Sequence, residues 1–238
     1  LNGKPVTIEP KKEKKVDDDK TDYYFINSIG SDEVGTGDYF GPIIVCASYV
    51  NRKDISFLEE LGVRDSKKLT DDKILKIAPE IIKRIPHQEE IISNSEYNNM
   101  QDNGYNMNKI KAIYHNKALL GLMKKDNFVY DMVVVDQFTP ERNYYNYLKS
   151  EPNVFRKIKF TTKAEDKCLS VACSSIISRY LFLKEIEKMG NSLGSFIPKG
   201  ASTLVDDYGK KIVQNFGKEK LRSIAKLNFK NTEKILNN

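Results

Sequence analysis

The chain has 238 residues, of which 39% are hydrophobic and 30% charged, and its formal net charge is +6. This length allows one large α/β domain, or one domain with a small appendage, and it is enough to bury a substantial core. No apolar run approaches the roughly 18 residues of a membrane-spanning helix, and the N-terminus does not resemble a signal peptide. We therefore expect a cytoplasmic protein that has no membrane partner and acts as a monomer.

The three cysteines, Cys46, Cys168 and Cys173, are odd in number and have no C-x-x-C spacing. This pattern suggests neither a disulfide framework nor a zinc site. We expect buried, reduced thiols.

The positive charge is unevenly distributed. Residues 1–22 carry six Lys and six acidic residues, which cancel, whereas residues 199–238 carry nine Lys and Arg against four acidic residues. A basic end on a balanced body is typical of a lobe that binds a polyanion, although solvated helix faces have the same composition.

The first predicted elements are strands. Residues 1–22 have few apolar residues and read as a linker, and because the chain begins with Leu we interpret it as a fragment. Strands are predicted over 23–30 and 42–50, the second almost continuously apolar and therefore central. A helix over 74–85, capped by Thr70, precedes a third strand over 87–93.

Strands and helices alternate through the second half. A helix over 108–125 leads into a strand over 132–136, and a helix over 140–149 into a strand over 157–162. A long, buried helix follows over 166–189.

The C-terminal part offers Ser202 as a helix N-cap, a helix that extends to Phe216 and stops at Gly217, and a further helix. The whole order predicts an α/β fold with a mixed five-stranded sheet flanked by helices and a C-terminal helical lobe.

The most informative segment is SDEVGTGDYFGP, residues 31–42. Asp32 and Glu33 meet a loop with Gly35, Gly37 and Gly41, and glycine lets main-chain N–H groups approach a sugar-phosphate chain closely. A plain β-turn is the alternative. Because neighbouring strand residues point to opposite faces, we predict a bulge or the strand's end here, with Asp32 central and Glu33 peripheral.

Further acidic residues follow other strands. Asp136 ends the strand over 132–136, and Glu165 and Asp166 precede the long helix. Taken singly, each acid could be a loop cap or a helix N-cap. Together, carboxylates at the ends of separate strands repel one another unless a cation compensates, and Mg²⁺ prefers such oxygen ligands together with substrate phosphates. A pair of ions could clamp both the attacking and the leaving oxygen at phosphorus.

Six motifs resemble those of the type 2 ribonucleases H, particularly ribonuclease HIII, in order and spacing: DEVGTGDYFGP (32–42), RDSKKL (64–69), VVVDQF (133–138), KAEDKCLSVACSSIISR (163–179), IPKGA (197–201) and KLNFKNTEK (226–234). The resemblance implies a ribonuclease H-like catalytic domain over 23–238, with the helical lobe from about residue 199. It also implies an N-terminal substrate-binding domain, of which residues 1–22 would be the trailing linker.

The resemblance further implies metal-binding and catalytic roles for Asp32, Glu33, Asp136 and Glu165, with two Mg²⁺ or Mn²⁺ ions. Glu165, where ribonuclease HII usually has Asp, favours ribonuclease HIII. Implied contacts to the substrate come from seven residues: Gly35, Thr36, Gly37, Ser66, Lys67, Lys68 and Lys163.

Three other polar residues stand apart from these roles. Asn228 stands where the family leads us to expect His. His87 and His115 fall outside the motifs and are interpreted as structural.

The implied function is endoribonucleolytic hydrolysis of the RNA strand of RNA/DNA hybrids, which leaves 5′-phosphate and 3′-hydroxyl ends. One alternative is incision at single ribonucleotides in DNA, as in ribonuclease HII. This is disfavoured because Thr36 replaces the Arg of the Gly-Arg-Gly loop. A second alternative is a non-catalytic module that binds hybrids.

Overall fold

The sheet is mixed and has five strands in the order β3-β2-β1-β4-β5 in a computed structural model that describes residues 23–63 and 68–237. The strands are β1 (Ser28–Val34), β2 (Ile43–Val50), β3 (His87–Ile92), β4 (Met132–Asp136) and β5 (Lys159–Thr161). Strand β2 pairs antiparallel with β1 and β3, whereas β4 pairs parallel with β1 and β5. The predicted five-stranded mixed sheet is confirmed.

The first strand is displaced from its predicted range of 23–30. It begins at Ser28 and continues to Val34. Tyr23 and Tyr24 are buried by packing instead, and the Tyr23 N–H donates to the carbonyl of Lys167. The displacement matters because it places Asp32 and Glu33 inside the strand.

The α-helices of the described residues are α1 (Ile55–Glu60), α2 (Asp71–Arg84), α3 (Asn94–Asp102), α4 (Met107–Met123), α5 (Glu141–Tyr147), α6 (Leu169–Leu193), α7 (Thr203–Phe216), α8 (Lys218–Ile224) and α9 (Lys230–Leu236). The Thr70 side chain caps α2 as predicted, and Gly217 ends α7 with a positive φ. Ser202 precedes α7, but its side chain makes no capping hydrogen bond.

Helices α1 and α3 were not predicted, because both are short and α3 is rich in Asn. A local signal for α3 was present in Ser93 and Glu96, which have the spacing of a capping box. The Ser93 hydroxyl accepts from the Glu96 N–H at 3.2 Å.

Two helical layers cover the sheet. Helix α4 packs on one face of the sheet, against β1 and β2, while α6 and α2 cover the opposite face. Every residue of β2 is buried, as expected for a strand covered on both faces. Gly30 allows α6 to approach closely, since a Cβ at this position would lie 2.3 Å from the Val171 nitrogen.

The C-terminal lobe, α7 to α9, shares its core with the glycine-rich loop. Tyr39 and Phe40 are buried with Phe182 of α6 and with apolar residues of the lobe. Phe40 forms an isolated β-bridge with Ala225. The loop that follows β1 is therefore held by the lobe.

The basic residues of the lobe are not all available to a polyanion. Lys226 is fully buried, and Lys199, Arg222 and Lys234 form ion pairs with carboxylates. The electrostatic surface therefore depends on fewer cations than the charge count of residues 199–238 indicated. Those on or near the surface include Lys210, Lys211, Lys218, Lys220 and Lys230.

The cysteines are buried and reduced, as predicted. None of the helices that the structure describes combines the length and apolarity needed to cross a membrane.

Lys226 holds the glycine-rich loop by donating to the backbone carbonyls of Asp38, at 2.7 Å, and Gly41, at 2.5 Å. Burial lowers the pKa of Lys226 to about 7. The unfolded chain therefore binds more protons than the folded chain from about pH 7 to 10, so this lysine's contribution to stability grows as the pH rises through that range. We expect wild type to gain stability relative to Lys226→Met over this range, as measured by urea unfolding.

The exposed Lys230→Met serves as the control for the Lys226 experiment and should show no such trend. A stability gap between wild type and Lys226→Met that narrows as the pH rises would contradict the prediction.

Candidate active site

The four candidate carboxylates lie at one end of the sheet. Asp32 and Glu33 lie near the end of β1, Asp136 is the last residue of β4, and Glu165 lies in a 3₁₀ turn, Ala164–Asp166, before α6. Strands β1 and β4 are parallel neighbours, so their carboxyl ends meet at the same edge, where α/β sheets place their sites.

The prediction at Asp32 and Glu33 was a bulge or the strand's end; no bulge forms, and β1 ends one residue later, at Val34. Strand β1 pairs one-to-one with β2 through Val34, whereas its pairing with β4 ends at Ser31. Regular pairing directs consecutive side chains to opposite faces. Asp32 accordingly meets Ser175 of α6, and Glu33 meets Lys111 and His115 of α4.

Glu33 has a cationic environment. The Lys111 ammonium forms an ion pair with Oε1, and His115 Nε2 lies 2.9 Å from Oε2. Burial alone would raise the pKa of Glu33, but the hydrogen bonds and charges of His115 and Lys111 outweigh it and lower the pKa to about 2. Glu33 is therefore an anion throughout the neutral range.

Asp32 has the opposite environment. Burial, together with the charge of Glu33, raises the pKa of Asp32 to about 8. Its Oδ1 accepts from the Glu33 N–H at 2.9 Å, and the charge of Asp136 disfavours ionisation further. Two adjacent carboxylates thus differ in protonation because only one of them has a cation beside it.

Asp136 is fixed by the backbone that leads into the 3₁₀ turn. The Ala164 N–H donates to its Oδ1 at 2.9 Å, and the preceding Lys163 has a left-handed conformation with φ 52°. Burial and the charges of Glu165 and Glu33 raise the pKa of Asp136. Asp166, which is not among the four predicted metal ligands, is exposed.

The donor set fits a hard divalent cation, because clustered carboxylate oxygens with raised pKa values gain most from added positive charge. Within residues 23–63 and 68–237, however, no three His, Cys, Asp or Glu side chains already form a ligand shell. Glu33 is directed toward Lys111 and His115, as described above. The carboxylates are therefore close enough to repel one another without converging on one point.

Of the residues predicted to contact substrate, Gly35, Thr36 and Gly37 follow β1 directly, and Lys163 immediately precedes the 3₁₀ turn. Gly35 has φ 97° and fits tightly, since a Cβ there would lie 2.2 Å from the Pro42 carbonyl oxygen. Thr36 is half-buried, and Gly37 is exposed. Asp38 Oδ1 anchors the loop by accepting from the Gly200 N–H at 2.7 Å.

Of the other predicted substrate contacts, Lys68 and Lys163 are exposed, whereas Ser66 and Lys67 lie outside the described residues. Asn228, the departure from the family pattern, accepts a hydrogen bond from the Tyr97 hydroxyl at 3.1 Å.

Two residues at the site were missed by the sequence analysis. His115 is fully buried, as its structural interpretation requires, but its partner is a candidate catalytic acid. Lys111 was not considered. The available signal was the i, i+4 spacing of Lys111 and His115, which places both side chains on one face of α4.

We expect Asp32→Ala to abolish hydrolysis, and we expect Glu33→Ala, which removes the more peripheral carboxylate, to reduce activity by a smaller factor. Asp32 interacts with the charges of both Glu33 and Asp136, whereas both Glu33 oxygens already have partners on α4. Initial rates on an RNA/DNA hybrid with Mn²⁺ would measure this, with circular dichroism to establish folding. Greater loss in Glu33→Ala than in Asp32→Ala would reverse the ranking.

Comparison with known proteins assigns the family. A model described as Ribonuclease HII matches residues 29–232. Ribonuclease HIII of Phytoplasma mali is 48% identical over 212 residues, which are 87% of this chain and 72% of that protein. Ribonuclease HIII of Lactococcus lactis is 45% identical over 211 residues, 88% of this chain and 72% of that protein.

Among solved structures, Bst-RNase HIII in complex with Mn²⁺ matches with a TM-score of 0.88 and 41% identity, covering 90% of this chain and 70% of that one. This match confirms the predicted ribonuclease H-like fold. The chain belongs to the ribonuclease HII family and, within it, to the ribonuclease HIII proteins.

Proposed function

We infer that this chain is a metal-dependent endoribonuclease that hydrolyses the RNA strand of RNA/DNA hybrids. The observation that carries the inference is the meeting of carboxylates at the ends of β1 and β4 and in the turn before α6. The Mn²⁺ complex of the related Bst-RNase HIII supports a divalent metal as the cofactor.

We propose that Asp32, Glu33, Asp136 and Glu165 hold two Mg²⁺ or Mn²⁺ ions. When bound, such ions would supply activation of water for in-line attack and stabilisation of the leaving 3′-oxygen, consistent with 5′-phosphate and 3′-hydroxyl ends. The chain's own contribution is orientation. The Ala164 N–H holds Asp136, and His115 holds Glu33.

The glycine-rich loop is proposed to read the RNA strand. Backbone N–H groups of Gly35, Thr36 and Gly37 can approach a 2′-hydroxyl, which is the group that distinguishes RNA from DNA. The lobe holds this loop through Lys226 and through the Gly200 N–H bond to Asp38. Lys68 and Lys163, both exposed, are proposed to contact phosphates, as are Ser66 and Lys67.

Cleavage assays on three substrates test this function: a full hybrid, a four-ribonucleotide stretch in duplex DNA, and a single ribonucleotide in duplex DNA, each with Mg²⁺ and with EDTA. We expect metal-dependent cleavage of the first two. Cleavage chiefly at the single ribonucleotide would favour the ribonuclease HII-like alternative. Hybrid binding without cleavage of any substrate would indicate a non-catalytic module.

We further propose that residues 23–238 act as one catalytic unit that is monomeric and cytoplasmic. The apolar core that the lobe shares with the glycine-rich loop supports treating both as one unit. Sedimentation of the chain at several concentrations would detect any self-association.

A further inference from the structure

Lys111 is a buried cation among the candidate metal ligands. It lies on α4, is 8% exposed, forms an ion pair with Glu33 Oε1, and its Nζ lies 4.0 Å from the centroid of the Phe138 ring. Its charge also acts on Asp136. A buried ammonium group needs compensating partners, and Glu33 provides the formal charge.

The two partners of Glu33 differ in freedom to move. His115 is fully buried, its Nδ1 lies 2.7 Å from the Ser31 hydroxyl, and its ring stacks on Phe138 at 5.2 Å. Lys111 is held by its ammonium head at the end of a four-carbon stem that can adopt other rotamers. If a further ligand takes a Glu33 oxygen, the lysine is the partner that can leave.

We propose that Lys111 is a built-in counter-cation that neutralises Glu33 in the metal-free protein and competes with the divalent metal ion for this carboxylate. The proposal rests on the proposed function, because it takes Glu33 as a metal ligand. Its physical basis is Coulombic. An ammonium group and a divalent ion on one half-buried carboxylate repel each other strongly, so binding of the ion must displace the lysine.

The decisive variant is Lys111→Met, which keeps the length and apolar stem of the side chain and removes its charge. We expect Mn²⁺ to bind this variant on the order of tenfold more tightly than wild type, an ordinary size for coupling between two ligands of one site. Titration calorimetry and electron paramagnetic resonance of free Mn²⁺ would measure the change without any activity assay.

Thermal unfolding of the same variant supplies a second readout. In EDTA, Lys111→Met should melt below wild type because the carboxylates lose their internal counter-charge. Mn²⁺ should then raise its Tm by more than it raises that of wild type. A lysine that only supports packing would not increase the gain from the metal.

Two controls separate charge from packing. Lys111→Arg keeps a cation beside Glu33 and should bind Mn²⁺ close to wild type. Lys117→Met removes an exposed lysine of the same helix, whose Nζ also lies over an aromatic ring, Tyr114, at 4.3 Å, and should not alter Mn²⁺ affinity.

Wild type alone provides a test that needs no variant. Mg²⁺ should increase the rate at which Lys111 reacts with an acylating reagent, measured by mass spectrometry with Lys117 as internal reference. Equal or weaker Mn²⁺ binding by Lys111→Met would overturn the proposal, as would an acylation rate that Mg²⁺ leaves unchanged or lowers.

These outcomes are separable from failure of the proposed function. If wild type binds no Mn²⁺, or if Asp32→Asn binds it as tightly as wild type does, the proposed assignment of the metal site is wrong. If wild type binds Mn²⁺ through Asp32, but Lys111→Met binds Mn²⁺ no more tightly than wild type does, only the proposed competition between Lys111 and the metal is wrong.

Discussion

Asp32→Asn is expected to eliminate cleavage and at the same time to stabilise the metal-free protein at neutral and alkaline pH. Burial and the charge of Glu33 raise the pKa of Asp32 from 3.8 to about 8 in the folded chain. The folded state therefore holds its proton more strongly than the unfolded state does. The free energy of unfolding of wild type therefore falls as the pH rises from 3.8 to about 8. Asn does not ionise, so the variant does not undergo this loss of stability.

Activity should fall by at least about a thousandfold, because loss of a ligand charge removes several kcal/mol of transition-state stabilisation. Stability should be compared by urea unfolding in EDTA at about pH 5 and about pH 8. We expect the advantage of Asp32→Asn over wild type to be larger at the higher pH. Asp207→Asn, an exposed change in the lobe, is the control and should show neither effect.

Two results would count against this account. A variant that is active shows that Asp32 is not an essential ligand. A variant that is less stable than wild type at both pH values shows that the side chain makes a net stabilising contribution. Carboxylates that repel one another when no metal is bound destabilise the folded chain, and such a loss of stability at a functional site is common in enzymes.

Gly30→Ala is expected to destabilise the protein by about 3 kcal/mol or more, at the severe end of overpacking mutations. The added Cβ would lie 2.3 Å from the Val171 nitrogen and 2.5 Å from the Ser170 carbonyl carbon, both backbone atoms of α6. These backbone atoms lie in the first turn of α6 and cannot rotate away as the end of a flexible side chain could. The strand and helix must separate instead, and their junction positions Asp32, two residues further along β1.

Urea unfolding of Gly30→Ala would measure the loss, with Gly37→Ala as the matched control. A Cβ at Gly37 meets nothing within 4 Å, so this variant should keep the stability of wild type. A loss below about 1 kcal/mol in Gly30→Ala would show that β1 and α6 can shift apart easily.

Local patterns in the sequence were sufficient for most of the fold. Apolar runs and alternation predicted β2, β3 and β4, since strands buried on one or both faces carry that pattern themselves. Helix α7 was predicted with its stop at Gly217 because the stop depends on one residue and its backbone conformation. Element bounds were less reliable. The start of β1 could not be predicted, because Tyr23 and Tyr24 are buried by tertiary packing rather than by strand pairing, and their local sequence does not distinguish the two.

The candidate site was predictable as a set of residues and not as an arrangement. Four acids stand out because each lies at the end of, or just before, a buried element, and because the motifs that resemble ribonuclease HIII contain all of them: Asp32, Glu33, Asp136 and Glu165. Their protonation was not predictable, because the pKa of Asp32 rises and that of Glu33 falls according to what packs beside each one. That difference arises between β1 and two helices on opposite faces of the sheet.

Residue order alone therefore specified the alternation of strands and helices, the glycine-rich loop and the identity of the acids, because these are properties of short segments. The sheet order, the regular pairing through Glu33 and the ion pair of Glu33 with Lys111 depend on segments far apart in the chain. Only tertiary packing, which brings α4 and α6 onto opposite faces of β1, determined that one acid has a cation beside it and its neighbour does not.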